Sequence, residues 1–130
     1  MSTLEKASEL GGRILLAAIF VSAGIGKIGG YAGTQAYMDS SGVPGALLPL
    51  VILLEAGGGL AIMVGWKTRI VSLALAAFTL LAAFIFHSNL GEKMQMIMFM
   101  KNLAIAGAFL LLAVHGAGAW SLDARTAERR

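Results

Sequence analysis

Four long, uninterrupted apolar runs constrain this chain more than any other feature of its sequence. A helix needs roughly 20 apolar residues to cross the hydrocarbon core of a bilayer, and each run comes close to that length. The runs are continuous rather than alternating, which favours helices over strands. Only 13% of the residues are charged, whereas a soluble domain carries about 25%. The sequence therefore predicts an all-α integral membrane protein.

The predicted spans lie at about residues 11–29, 46–65, 70–87 and 96–115. Together they are expected to form one domain, residues 1–130, folded as a four-helix bundle. The connection at 31–45 is polar and rich in Gly and Ser, and residues 66–69 form a tight basic turn. Residues 120–130 are expected to form a polar tail that frays.

Basic residues are divided unevenly between the two sides of the predicted membrane domain. With four spans, the N-terminal segment, the basic turn and the tail share one side, which holds Lys6, Arg13, Lys67, Arg69, Arg125, Arg129 and Arg130. The other side holds Lys27, Lys93 and Lys101. Because positive residues are retained in the cytoplasm, both termini are predicted to be cytoplasmic. The same bias accounts for the net charge of +3 without a nucleic-acid partner. The four spans and the charge bias together predict a multi-pass protein of a bacterial or archaeal cytoplasmic membrane.

The tripeptide Val21-Ser22-Ala23 resembles a signal-peptide cleavage site after an apolar run. Signal peptides begin with a basic segment and have a short apolar core. Glu5 and Glu9 interrupt such a basic segment, and the apolar run here is long. We therefore expect the first span to be retained.

Polar side chains are concentrated in the outer half of the predicted bundle. They come from all four spans and are Lys27, Glu55, His87, Lys101 and Asn102. A charge at mid-bilayer costs about 2.5–3.5 kcal/mol on insertion scales and usually faces protein or water beside a partner. We therefore predict an intramembrane polar site built from these five residues, in the lipid bilayer's outer half.

Small residues accompany both charges nearest the membrane centre. Gly58 and Gly59 follow Glu55 by three and four residues, and Gly24 precedes Lys27 by three. Residues at these spacings share a helix face, and small residues allow another helix to approach closely. The two charges are thus expected at helix contacts or in a narrow polar cavity.

Each predicted site residue also has a purely structural interpretation. Glu55 would lock helices together through a buried pair, and Lys27 and Lys101 have side chains long enough to reach the membrane surface. Asn102 would form an interhelical hydrogen bond, and His87 would complement the end of a helix dipole.

Metal and haem sites are not expected in this chain. There is no cysteine, which excludes disulfides and thiolate metal sites. The two histidines, His87 and His115, lie at opposite ends of the predicted bundle, and no cluster of histidine and carboxylate has metal-ligand spacing.

The order of motifs resembles that of the DoxX family of small four-helix membrane proteins. Span one contains GRILLAAIFVSAGIGKIGG with Gly24 and Lys27, and span two contains Pro49, Glu55 and the two glycines that follow. GWKTR comes next, and Lys101-Asn102 opens span four. The family is named for a subunit of an archaeal oxidoreductase acting between thiosulfate and quinone. Other members are linked to sulfur or oxidative stress, or to assembly of partner proteins.

Two functions stay open at this point. As a quinone-linked redox subunit, the chain would use Lys27, His87, Lys101 and Asn102 as hydrogen-bond donors and Glu55 as a proton relay, with electrons supplied by a partner or a bound organic cofactor. As a non-enzymatic assembly or structural partner, it would dock into a larger membrane complex or a homo-oligomer. Solute transport is less favoured, because four spans are few and no inverted repeat is evident.

Overall fold

The computed structural model describes residues 1–128. Six helical segments follow one another: α1 (Thr3–Gly29), α2 (Tyr31–Ser40), α3 (Gly45–Val64), α4 (Thr68–Phe86), α5 (Lys93–His115) and α6 (Leu122–Glu128). No strand occurs among these residues. By length and composition, α1, α3, α4 and α5 are able to cross a membrane. The all-α prediction and its four spans are confirmed, while the bundle arrangement and the orientation of the termini stay predictions.

The chain divides into two compact units. The first contains Met1–Lys67 together with the C-terminal segment that begins at Ala117, and the second contains Thr68–Gly116. Each is built on a pair of long helices, α1 with α3 in the first unit and α4 with α5 in the second. The grouping of all four spans into one domain stays a prediction.

Helix α1 begins well before its apolar run because a capping box starts it. The Ser2 hydroxyl accepts the Glu5 backbone N–H at 3.1 Å, and the Glu5 carboxylate accepts the Ser2 N–H at 3.3 Å. This reciprocal pair satisfies two N–H groups that a helix start leaves without partners. A helix of 27 residues results, about eight residues longer than the predicted span.

Large apolar side chains point outward on all four long helices. Leu15, Leu53, Ile70 and Leu111 are all exposed, an arrangement suited to lipid rather than water. The buried positions are filled largely by small or compact side chains, including Ala17 in the first unit and Ala76 and Ala83 in the second. Small residues at helix contacts are typical of membrane helices.

Polar contacts fix the register of α4 against α5. The Arg69 guanidinium donates to the carbonyl oxygens of Ala113 and Val114 at the end of α5. Farther along, the Asn102 amide donates to the Thr79 carbonyl oxygen at 3.3 Å. The rings of Phe84 and Phe99 meet edge to face, with centroids 5.3 Å apart. These contacts pair the two helices in antiparallel order along their length.

Two segments predicted as irregular contain helices. The polar connection at 31–45 forms α2, after which the Asp39 carboxylate accepts the Gly45 N–H at 2.8 Å. The tail forms α6 instead of fraying, because the Ser121 hydroxyl accepts the Ala124 N–H at 3.1 Å and caps its start. Arg129 and Arg130, which the charge count includes, lie outside the described residues.

Candidate functional site

An ion pair joins the two long helices of the first unit. The Lys27 ammonium lies 2.8 Å from Glu55 Oε1. Glu55 is only 5% exposed, whereas the Lys27 side chain retains 29% of its accessible surface. The predicted partner for a carboxylate inside an apolar helix is therefore present, and its ammonium group is partly open to the surroundings.

Glu55 lies at the centre of a break in the regular α-helix. Residues Leu53–Gly57 form a π-helical turn, and the Gly58 N–H is directed to the carbonyl oxygens of Glu55 and Leu54. Such a wider turn changes the face on which the following residues lie, and π-turns occur frequently at functional sites. The turn thus marks Glu55 as the position around which α3 departs from ideal geometry.

Glycines allow α1 and α3 to approach closely on both sides of the ion pair. A Cβ atom at Gly24 would lie 2.8 Å from the backbone nitrogen of Ala56, beside Glu55. A Cβ atom at Gly59 would lie 2.7 Å from a methyl carbon of Val21. Both distances are too short for a real side chain, so these glycines set the separation of the helices. The predicted use of small residues in helix contacts is confirmed at Gly24 and Gly59.

The other three predicted site residues belong to the second unit. His87 Nδ1 lies 3.0 Å from the Gln95 side-chain oxygen, and Asn102 bonds to Thr79 as described above. Lys101 is exposed. Within this unit His87 and Asn102 have different partners; the Asn102 contact is the interhelical hydrogen bond considered from the sequence, whereas the His87 contact with Gln95 was not considered there. Convergence of these residues with Lys27 and Glu55 stays a prediction.

Sequence reasoning missed a second polar centre in the first unit, at Arg13. This arginine was counted as a surface charge, yet it is only 2% exposed. Its guanidinium donates to the carbonyl oxygens of Ile62 and Met63, each at 3.2 Å, and to that of Trp120. The sequence feature that could have revealed this is the location of Arg13 inside the predicted first span, where a charge requires partners.

The chemistry available at the ion pair follows from the inventory of its donors and acceptors. An ammonium group has three N–H donors, more than the single ion-pair contact with Glu55 is able to occupy. Because Lys27 is partly exposed, its remaining donors are able to reach an acceptor outside the helix pair. The buried carboxylate holds the ammonium in place and is itself able to accept a proton.

Comparison with known proteins agrees with the resemblance seen in the sequence. A family model for DoxX matches residues 9–88, which include Lys27, Glu55 and His87. The chain is 59% identical over 123 residues to the inner membrane protein YqjF of Escherichia coli (strain K12), covering 95% of each protein. It is 40% identical over 120 residues to the inner membrane protein YphA of the same organism, covering 87% of this chain and 86% of that protein. No solved structure matches it.

Proposed function

The chain belongs to the DoxX family and is a multi-pass protein of the cytoplasmic membrane, and from this premise we propose that it is an accessory membrane protein with a quinone-binding site at Lys27 and Glu55. The observation that carries the proposal is the 2.8 Å ion pair between a buried carboxylate and a partly exposed ammonium. In this role the chain serves as a subunit or helper of a redox complex.

A quinone requires a hydrogen-bond donor at a carbonyl oxygen and an apolar path for its tail. Lys27 supplies a charged donor, and hydrogen bonds from charged groups are stronger than neutral ones. Exposed apolar side chains on the same helices, such as Ile25 and Ile28, provide a surface that a lipid-like tail tolerates. Glu55, next to the ammonium, would accept and release one of the two protons that accompany the two-electron reduction of a quinone to a quinol.

Stability alone does not account for a charged pair at this position. Replacing a buried ion pair by well-packed apolar residues is often neutral or stabilising, because removing two charges from water is costly. The close helix packing at Gly24 and Gly59 holds the pair at a fixed place, and a binding site needs such rigidity. The charged pair is therefore better explained by binding than by structure.

Electrons would come from outside this chain's own side chains. The sequence has no cysteine to hold an iron–sulfur cluster. The proposed site would thus bind and protonate quinone while a partner subunit or a bound organic cofactor carries the electrons.

Quinone binding is testable on the purified protein in lipid nanodiscs. The probe is decylubiquinone, measured by equilibrium dialysis, together with extraction of any quinone retained from the cell membrane. Glu55→Gln and Lys27→Met are expected to weaken binding by about tenfold or more, since a charged hydrogen bond contributes roughly 1.5–3 kcal/mol. Glu92→Gln and Lys93→Met make the same chemical changes at exposed positions near the start of α5 and should leave binding unchanged. Equal affinity in all five proteins, or no binding by the unsubstituted one, would refute the proposal.

The assembly-partner alternative has lost part of its basis. Docking onto a larger complex would use the small-residue faces of the first two spans. Gly24 and Gly59 on these faces are already occupied by contacts within the first unit. This alternative expects co-purification with a larger complex and no retained quinone, so the same extraction separates the two functions.

A further inference from the structure

The buried guanidinium of Arg13 joins three parts of the first unit that are far apart in sequence. It lies on α1 and donates to Ile62 and Met63 at the end of α3 and to Trp120 near the end of the chain. Helix ends leave carbonyl oxygens without intrahelical partners; Arg13 donates to two carbonyl oxygens near the end of α3, of which that of Ile62 also accepts the Gly65 N–H at 3.2 Å. The contact with Trp120 brings the C-terminal segment to the same place.

Further contacts connect this segment to both helices. We call residues 117–128 the C-terminal strap. The Glu9 carboxylate on α1 accepts the Ala119 N–H at 3.3 Å. The Asp123 carboxylate accepts the Lys67 N–H at 2.8 Å, and the Asp123 N–H donates to the Gly65 carbonyl oxygen at 2.8 Å. The strap is therefore bonded to the start of α1 and to the turn after α3.

Two glycines in left-handed conformation are needed for this close fit. Gly65 has φ +72° and Gly118 has φ +91°, backbone angles that residues with a side chain rarely adopt. A Cβ at Gly65 would overlap Arg13 and Ser121, and a Cβ at Gly118 would overlap the Glu9 carboxylate. The strap, Arg13 and the turn after α3 are thus packed as one unit.

The electrostatics of Arg13 depend on the strap. Glu9 and Asp123 are the two carboxylates that act on its charge, and Asp123 belongs to the strap. If the strap were to leave, the buried guanidinium would lose the Trp120 carbonyl and one of two compensating charges. A buried charge that loses partners becomes less favourable, so the strap should stabilise the helix pair.

We propose that the C-terminal strap fastens the α1–α3 pair and that Arg13 is the residue through which it does so. The strap follows α5 in sequence, so the first helix pair is completed only after α5 and the strap have been made. The strap is a conformational latch on the two helices that carry Lys27 and Glu55. This inference does not depend on what that site binds.

The absence of cysteine makes the latch measurable by thiol labelling. Ser121→Cys places a near-isosteric thiol at a strap position that is 7% exposed, and Thr126→Cys places one at an exposed position of α6. In detergent micelles, maleimide should label the first slowly and the second rapidly. Adding Arg13→Met should accelerate labelling of the Ser121→Cys thiol by about tenfold or more, because bonds from a charged donor are lost.

Milder variants keep the test decisive if Arg13→Met fails to fold. Glu9→Ala removes the acceptor of the Ala119 N–H and one carboxylate that acts on the Arg13 charge, but it leaves the three carbonyl contacts of Arg13 in place, so it should accelerate labelling by a smaller factor. Glu5→Ala removes a carboxylate one turn earlier on the same helix, where it accepts the Ser2 N–H, and should leave both labelling rates unchanged. Ala117→Cys, at a buried position whose side chain makes no hydrogen bond, serves as a second reporter.

The proposal is overturned if both reporters are labelled as fast as Thr126→Cys in the otherwise unsubstituted protein. It is equally overturned if Glu9→Ala, folded, leaves both labelling rates unchanged.

Discussion

At the scale of single residues, the Lys27–Glu55 pair should behave differently when one partner is removed and when both are. Lys27→Met leaves the buried Glu55 carboxylate without its counter-charge, and breaking a buried pair in this way costs about 3 kcal/mol of unfolding free energy. The double variant Lys27→Met with Glu55→Leu removes both charges and should recover most of that loss. Unfolding by SDS titration in mixed micelles, followed by circular dichroism, measures both.

Lys93→Met is the control for the loss of a lysine charge, since Lys93 is exposed. It is expected to leave the unfolding free energy nearly unchanged. If Lys27→Met were no more destabilising than Lys93→Met, the ion pair would not contribute to the folded state, and the geometry on which the quinone proposal rests would lose its support.

The sequence shows that Glu55 needs a partner, but it does not show the partners of Arg13. Glu55 stands in the middle of an apolar run, so its need for a partner was evident, and Lys27 is that partner. Arg13 stands near the edge of its run, where a basic residue usually marks the cytoplasmic boundary. Its true partners are backbone carbonyls distant in sequence. Backbone acceptors carry no sequence signature, so only the folded chain identifies them.

At the scale of elements, the contact between α1 and α3 provides a matched pair of glycine substitutions. Gly24→Ala introduces a Cβ that would lie 2.8 Å from the Ala56 nitrogen, so the helices must separate, at a cost of about 1–3 kcal/mol. Gly26→Ala, two residues later, introduces a Cβ with no atom within 4 Å. It should be neutral or stabilising by up to about 1 kcal/mol from helix propensity.

Thermal unfolding in detergent, with both alanine variants measured beside the unsubstituted protein, tests this difference. A lower midpoint for Gly24→Ala alone is the expected result. Equal midpoints would mean that α1 and α3 do not meet at Gly24.

The elements that sequence predicted best are those whose length the bilayer dictates. Predicted spans and observed helices agree within three residues except at the start of α1. There the capping box extends the helix into residues that hydropathy does not mark. The helices α2 and α6 escaped prediction because they are short and weakly periodic, and the start of α6 is capped by a side-chain contact to backbone at Ser121. Likewise, nothing in the composition of LLEAG, residues Leu53–Gly57, distinguishes a π-turn from an α-helix.

At the scale of the whole molecule, both units close their helix pairs in the same way. Arg13, followed by Ile14, bonds to the last carbonyls of α3, and Arg69, followed by Ile70, bonds to the last carbonyls of α5. Arg69 is the second residue of α4, whereas Arg13 lies ten residues after the start of α1, near the beginning of that helix's apolar run. This similarity implies that a basic residue at such a position holds a helix pair together as well as marking the cytoplasmic side. A count of charges considers only the second role, so it interprets Arg13 and Arg69 as topological markers.

The contacts of the first unit also constrain the topology of the whole chain. Glu9 and Arg13 bond to the strap, and Lys67 bonds to Asp123, so the start of α1, the basic turn and the strap lie at one end of this unit. Charge bias then assigns that end to the cytoplasm. Thr126→Cys should therefore be protected from a membrane-impermeant maleimide in intact spheroplasts and become reactive after permeabilisation. Ser40→Cys, beyond the opposite end of α1, should react before permeabilisation. The reversed pattern would place both termini outside. Labelling of both thiols in intact spheroplasts would contradict the inference that the start of α1, the basic turn and the strap lie at one end of the first unit.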